Sequence, residues 1–188
     1  MFEVRIHGRG GQGVVTAAEL LAAAAFAEGR SAQAFPSFGS ERTGAPVVAF
    51  CRIAERSIRL REPILRPNAV IVQDATLLRQ TDVLAGLAED GTVLLNSTHT
   101  AAELGLSEYA GRVVVVPATR LAREHVGRPL PNAALLGGFV ALCRLIHIES
   151  VTAAIRERFT GPIAEANAAA ATAAYDLVRA TRKEPTRA

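Results

Sequence analysis

The chain has 188 residues, 49% of them apolar and 21% charged, with a formal net charge of +3. That length and balance suit one folded domain with a single sizeable core and exclude a disordered chain. No apolar run of about 18 residues is there to cross a bilayer, and two cysteines, Cys51 and Cys143, are too few for a four-ligand zinc or iron–sulfur site.

Val4 and Ile6 open a predicted strand that leads into Gly8-Arg9-Gly10-Gly11-Gln12-Gly13. An amphipathic helix follows, because Val14, Ala18, Leu21, Ala22, Ala25 and Phe26 recur on one face and Gly29 is placed to end it. A second strand is expected over 32–35. The stretch 36–46 is too polar and broken for a regular element and reads as a long ordered loop. Two runs, 47–53 and 57–60, then flank a short turn. Ile58 and Leu60 alternate with Arg59 and Arg61, which predicts an antiparallel hairpin with one wet face.

Residues 69–72, 92–95 and 113–116 are continuous apolar runs, the pattern of buried parallel strands. Helices are expected from Asn132 to about Ile146, over 150–159 with Ser150 as cap, and from Gly161-Pro162 to about Arg179. The alanine-rich stretch 168–174 is helical by propensity and permits close approach, within the domain or against a partner. No linker, repeat or low-complexity tract divides the chain. Residues 1–188 are therefore expected to form one α/β domain: a mostly parallel sheet with an inserted antiparallel hairpin and C-terminal helices. The start, Met1-Phe2-Glu3-Val4-Arg5, lacks the layout of a signal peptide, so a cytoplasmic chain is expected.

Gly8, Gly10 and Gly13 fit G-x-G-x-x-G between a strand and a helix, where free N–H groups and the positive dipole end favour an anion. The second strand, however, ends at Ala34-Phe35-Pro36 without the acid that would hold a ribose, and Glu28 falls at the helix end instead. Two readings stay open: a nicotinamide or flavin site, and the favoured one, a turn whose backbone packs on a neighbouring chain or cofactor. The loop holding Ser37, Glu41, Arg42, Thr43 and Gly44 has the content to clamp a ligand or close an interface, or simply to satisfy itself.

Asp74 stands at the end of an apolar run, where open α/β sheets place ligands, although the favoured role is a helix cap near Thr76. His7 and His99 have Glu3 and Glu103 four positions away, but no third ligand completes a metal site. His125 and His147 read as surface or boundary residues of helices. The basic residues are arginines save for Lys183, and they are scattered among few aromatics. A GC-rich coding sequence accounts for them better than a nucleic-acid groove, which needs a basic stripe with stacking platforms. No G-x-S-x-G, P-loop or H-E-x-x-H occurs, so a self-contained catalytic centre is not evident.

Two long motifs carry a family resemblance. Val4-Arg5-Ile6-His7-Gly8-Arg9-Gly10-Gly11-Gln12-Gly13-Val14-Val15-Thr16-Ala17-Ala18 resembles the start of the gamma subunit of 2-oxoacid:ferredoxin oxidoreductases, and the match continues through Ala32-Gln33-Ala34-Phe35-Pro36-Ser37-Phe38-Gly39-Ser40-Glu41-Arg42-Thr43-Gly44-Ala45-Pro46-Val47. Ile58-Arg59-Leu60-Arg61, Val70-Ile71-Val72-Gln73-Asp74-Ala75-Thr76-Leu77-Leu78, Leu130-Pro131-Asn132 and Leu135-Leu136-Gly137-Gly138 are similar to later family segments. Enzymes of that family convert a 2-oxoacid and coenzyme A to an acyl-CoA, carbon dioxide and two electrons. The resemblance implies thiamine diphosphate with Mg²⁺ between alpha and beta subunits, [4Fe-4S] clusters on partner chains, and ferredoxin or a related acceptor.

It further implies that this chain is a non-catalytic gamma subunit bordering coenzyme A and holding no metal itself. Gly8, Gly10, Gly11, Gln12 and Gly13 would form the turn that meets a neighbour or cofactor. Ser37, Glu41, Arg42, Thr43 and Gly44 would face the same region, with Arg9 and Arg42 as phosphate partners. Phe38-Gly39-Ser40-Glu41-Arg42 resembles pyruvate-type chains, with an aromatic oxoacid such as phenylglyoxylate as the second choice. A stand-alone nicotinamide or flavin oxidoreductase and a pure assembly module docking through the alanine-rich helix are the competing readings.

Overall fold

The computed structural model describes residues 1–37 and 43–183. Six strands, β1 (Phe2–Arg9), β2 (Ser31–Pro36), β3 (Pro46–Ala54), β4 (Ala69–Val72), β5 (Thr92–Asn96) and β6 (Arg112–Val116), form one sheet. Their order is β2-β3-β1-β4-β5-β6. β1, β4, β5 and β6 run parallel, while β3 lies antiparallel between β2 and β1. Five helices accompany them: α1 (Val14–Ala27), α2 (Ala118–Val126), α3 (Asn132–Cys143), α4 (Ile148–Arg158) and α5 (Gly161–Lys183). This is the expected mostly parallel α/β architecture with an antiparallel pair and C-terminal helices.

The antiparallel pair is not the one that alternation predicts. Residues 57–60 form no strand, and β3 pairs antiparallel with β2 on one edge and β1 on the other. Both edges of β3 are already taken, by β1 at Phe2↔Ile53 through Arg9↔Pro46 and by β2 at Ser31↔Ala54 through Pro36↔Ala49. A third run has no free hydrogen-bonding edge there. The alternation of Ile58 and Leu60 with arginines records a half-wet extended segment only.

The helices pack on one face of the sheet. Ile6, Ile71 and Leu94 meet Leu21, Leu136, Phe139 and Ile155 in one continuous buried core. On the opposite face Val70, Val72 and Leu95 are covered by Leu77, Val83 and Leu106. Those covering residues come from the β4–β5 and β5–β6 connections, which contain a 3₁₀ turn (Ala75–Arg79) and irregular turns instead of α-helices. A Cβ on Gly86 would lie 1.9 Å from the Leu65 carbonyl, so this connection threads against backbone where a regular helix has no room.

α3 is buried almost throughout because it lies between the sheet and α5. A Cβ on Gly137 would lie 1.8 Å from the Ala171 carbonyl oxygen. The small-residue face of α5, with Ala168, Ala171 and Ala174 fully covered, is thus consumed inside the chain. It is not a free docking face. Gly29, at φ +77°, closes α1 as expected: its N–H donates to Phe26 O at 2.9 Å, and Arg30 N–H donates to Ala25 O at 3.2 Å. Phe26 is a correction, being 74% exposed, because the buried stripe of α1 follows Ala17, Leu20 and Ala24 as well. Ser150 is another: His147 occupies the cap position of α4, and its N–H donates to Glu28 Oε1 at 2.7 Å. Ser150 lies inside the first turn and bonds Glu28 with its side chain. Among the described residues no helix is long and apolar enough to cross a membrane.

Candidate functional site: the glycine turn and its struts

β1 runs through the middle of the sheet and delivers the glycine turn to its C-terminal edge, between β3 and β4. The chain order reverses direction across the sheet here, which is where ligands collect in open α/β folds. The turn is built largely from backbone. Gly10 N–H donates to Ala45 O at 2.9 Å, Gly44 N–H to Gly10 O at 3.1 Å, and Gln12 N–H to Arg9 O at 3.0 Å. Gly10 also bridges Thr43. Gly11 and Gly13 sit at φ +92° and +70°, where glycine is the residue free of strain.

Two glycines serve close approach. A Cβ on Gly8 would lie 2.6 Å from Val14 Cγ2 and 3.2 Å from Gln73 Cβ, so α1 and β4 close directly on the backbone. A Cβ on Gly13 would lie 2.5 Å from Asn132 Nδ2, at the start of α3. Gly13 caps α1 without any side-chain hydrogen bond, leaving the helix N-terminus to offer N–H groups and its positive dipole end.

Side chains then brace the turn. Gln12 Oε1 accepts from Arg9 N–H at 2.8 Å, and its Nε2 donates to Asp74 Oδ2 at 3.2 Å. The Arg9 guanidinium donates to Asp74 Oδ2 (3.0 Å), Gly44 O (3.1 Å), Thr76 Oγ1 (2.6 Å) and Gln80 Oε1 (2.9 Å). With its guanidinium donating to four acceptors, Arg9 ties the turn to the start of the 3₁₀ segment. Asp74 is the expected cap, accepting from Thr76 N–H at 3.0 Å and from the Thr76 hydroxyl at 2.5 Å. Burial opposes its ionisation. The Thr76 bonds, Gln12 and the Arg9 charge outweigh that and hold the carboxyl below its usual range.

Beneath the turn lies a pair that pattern reading does not find. Arg5 and His7 are buried in β1, and Arg5 Nε donates to His7 Nε2 at 2.9 Å. Arg5 Nη2 also donates to Val83 O (3.0 Å) and Ala85 O (2.6 Å), anchoring the β4–β5 connection. Burial, then the Arg5 charge, push the His7 pKa down to about 4. Glu3, paired in sequence with His7, instead accepts from Arg52 Nε at 2.8 Å, while Glu103 lies 4.0 Å from His99. Among the described residues no group of three His, Cys, Asp or Glu side chains gathers to hold a metal.

The structure brings Thr43 and Gly44 against the turn. Ser37 does not join them there; its N–H donates to Val48 O at 2.8 Å, on the far side of β3. Glu41 and Arg42 lie outside the described residues. Beside the turn, a cleft of about 320 Å³ is bounded by Gly11, Gly13, Arg128, Asn132, Arg158 and Phe159. Arg158 stacks over Phe159 at 5.8 Å. These residues escape sequence reasoning because they converge from the starts and ends of α1, α2, α3 and α4; the one available signal was the family-like Leu130-Pro131-Asn132.

The topology also bears on a dinucleotide. β3 is inserted between β1 and β2, so the tip of β2 stands two strand spacings, about 10 Å, from β1. The residue at that tip is Pro36, whose side chain offers no acceptor to the ribose hydroxyls. Glu28 accepts from His147 at the opposite end of α1.

Comparison with known proteins agrees with this geometry. Residues 3–177 match the model of the family described as Pyruvate ferredoxin/flavodoxin oxidoreductase. The chain is 48% identical over 178 residues to the "Pyruvate/ketoisovalerate oxidoreductases common subunit gamma" of Pyrococcus abyssi, covering 94% of this chain and 96% of that one. It is also 48% identical over 176 residues to the pyruvate synthase subunit PorC of Methanocaldococcus jannaschii, with the same coverage of 94% and 96%. The crystal structure of pyruvate oxidoreductase subunit PORC from Thermotoga maritima superposes with a TM-score of 0.83 at 36% identity, covering 93% of this chain and 95% of that chain. The chain therefore belongs to the pyruvate ferredoxin/flavodoxin oxidoreductase family and is a gamma-type subunit of such an oxidoreductase.

Proposed function

We propose that this subunit completes a thiamine-diphosphate-dependent pyruvate:ferredoxin oxidoreductase and presents its glycine turn to coenzyme A. The assembly converts pyruvate, coenzyme A and two oxidised ferredoxins to acetyl-CoA, carbon dioxide, a proton and two reduced ferredoxins. End-to-end similarity to PorC chains is the observation that carries this reading. Thiamine diphosphate, Mg²⁺ and the [4Fe-4S] clusters are assigned to the alpha, beta and ferredoxin-like partners, since two cysteines cannot ligate a cluster unaided. The named relatives act on pyruvate and ketoisovalerate, which favours pyruvate over an aromatic oxoacid. A gamma subunit common to two such enzymes also argues that the choice of oxoacid is made by partner chains. The subunit is placed in the cytoplasm together with its partner chains.

For coenzyme A, the supporting features are the N-terminus of α1 without a side-chain cap, exposed Gly11 and half-buried Gly13, and the neighbouring cleft with Arg128 and Arg158. Its apolar wall suits a pantetheine-like arm and its arginines suit phosphates. Arg42 is proposed as a further phosphate partner, and Gln12, Thr43 and Gly44 as the frame that fixes the turn. Arg9 contributes by bracing. In the assembled enzyme, Arg42→Ala and Arg128→Ala should each raise the apparent KM for coenzyme A about tenfold, the loss expected for one charge-assisted hydrogen bond, with little change for pyruvate. Unchanged coenzyme A dependence in both variants would remove the phosphate role.

A further inference from the structure

A second, polar cleft of about 320 Å³ lies on the other side of Gln12, over the C-terminal ends of β4, β5 and β6. Gln73 lines it, just 1% exposed, and neither its Nε2 nor its Oε1 has a hydrogen-bond partner among the described residues. A buried amide normally finds partners, because stranding a donor and an acceptor away from water is costly. The backbone of Gln73 is fixed, with its N–H donating to His7 O and its carbonyl accepting from Asn96 Nδ2, both at 2.8 Å. The backbone cannot shift to relieve the amide without breaking these two bonds.

The nine-residue helix α2 starts on the same cleft. Its cap residue Pro117 supplies no side-chain acceptor. Asn96 Oδ1 takes the Thr119 N–H at 3.0 Å, and the rest of the positive helix end faces the opening. Arg120 and the hydroxyls of Ser97 and Thr98 line it as well. Asp74 also lines the cleft, and the Arg9 guanidinium at 3.0 Å offsets its charge.

We infer that this cleft binds a small phosphate ester other than coenzyme A. Its phosphoryl oxygens sit on Arg120, Ser97, Thr98 and the N-terminus of α2. A hydroxyl on its carbon skeleton both donates to and accepts from the Gln73 amide. The cleft is roomier than inorganic phosphate requires, and Gln73 selects the ester.

The test is a titration of the isotope-labelled full chain, followed by NMR, with glycerol 2-phosphate, inorganic phosphate and acetate at fixed ionic strength. Both phosphates should give saturable shifts at the amides of Ser97, Thr98, Thr119 and Arg120, and acetate should not. Glycerol 2-phosphate alone should move the Gln73 side-chain NH₂. Arg120→Ala should weaken both phosphates at least tenfold, whereas Gln73→Leu should weaken glycerol 2-phosphate tenfold and leave inorganic phosphate unchanged. Melting curves provide the second readout: Gln73→Leu should raise the ligand-free Tm yet lose the rise that the ester gives the native chain. Shifts that never saturate, equal shifts with acetate, or affinities unmoved by Arg120→Ala would overturn the inference. So would displacement of the ester by coenzyme A, which would make the cleft part of the coenzyme A site and leave the proposed function standing.

Discussion

His7 is held neutral in the fold, and that has a measurable consequence. Its Nε2 accepts from the Arg5 guanidinium at 2.9 Å, so a proton placed there would face another donor inside the sheet. An imidazole with an ordinary pKa of 6.5 is pushed down to about 4 by burial and by Arg5, and at one pKa unit per 1.36 kcal/mol the gap is worth about 3 kcal/mol. The unfolded chain binds the proton first as pH falls. Stability is therefore unaffected above the unfolded value of 6.5, declines as pH drops through the interval to about 4, and takes no further loss from this group below it. His7→Gln keeps an acceptor for Arg5 but cannot titrate. Urea unfolding of both chains from about pH 7 to about pH 4 should show the native chain losing about 3 kcal/mol more than the variant. Parallel stability curves, or an NMR titration in which His7 protonates near 6.5, would refute the reasoning.

Neighbouring glycines of α3 give a paired test. Gly137→Ala should destabilise the chain by about 2–3 kcal/mol, because its Cβ would lie 1.8 Å from the Ala171 carbonyl and the helices must part. Gly138→Ala, whose nearest neighbours stand at 3.5 Å, should be neutral or stabilising by up to about 1 kcal/mol in the same unfolding assay. Arg9→Met should cost about 2 kcal/mol by removing charge-assisted hydrogen bonds to Asp74, Gly44, Thr76 and Gln80. Carbon-detected titration should then show the Asp74 pKa rising toward its ordinary value; an unmoved Asp74 would deny Arg9 its bracing role.

What could be read from the chain follows from what periodicity encodes. The apolar runs at 69–72, 92–95 and 113–116 became β4, β5 and β6 because parallel strands of a sheet covered on both faces need apolar residues on each face. Gly29 and Asp74 were legible because a helix end and a cap are local chemistry. Pairing is not local. Residues 57–60 carry a strand-like alternation, yet no rule within that segment reveals that both edges of β3 are filled. Arg9 shows the same gap for a site: nothing in its own segment reveals that Asp74, Thr76 and Gln80 arrive from a distant segment to accept from it. Arg5 and His7 break the apolar pattern of a central strand, a signal that names them as unusual without naming each as the other's partner.

Affinity purification of the tagged chain from its own cells, followed by a turnover assay, tests the central claim most directly. Co-elution with thiamine-diphosphate-binding and cysteine-rich chains, pyruvate- and coenzyme A-dependent ferredoxin reduction by the complex, and no turnover by the isolated chain are the predicted results. A chain that elutes alone, binds a nicotinamide or flavin tightly and transfers hydride by itself would contradict the account.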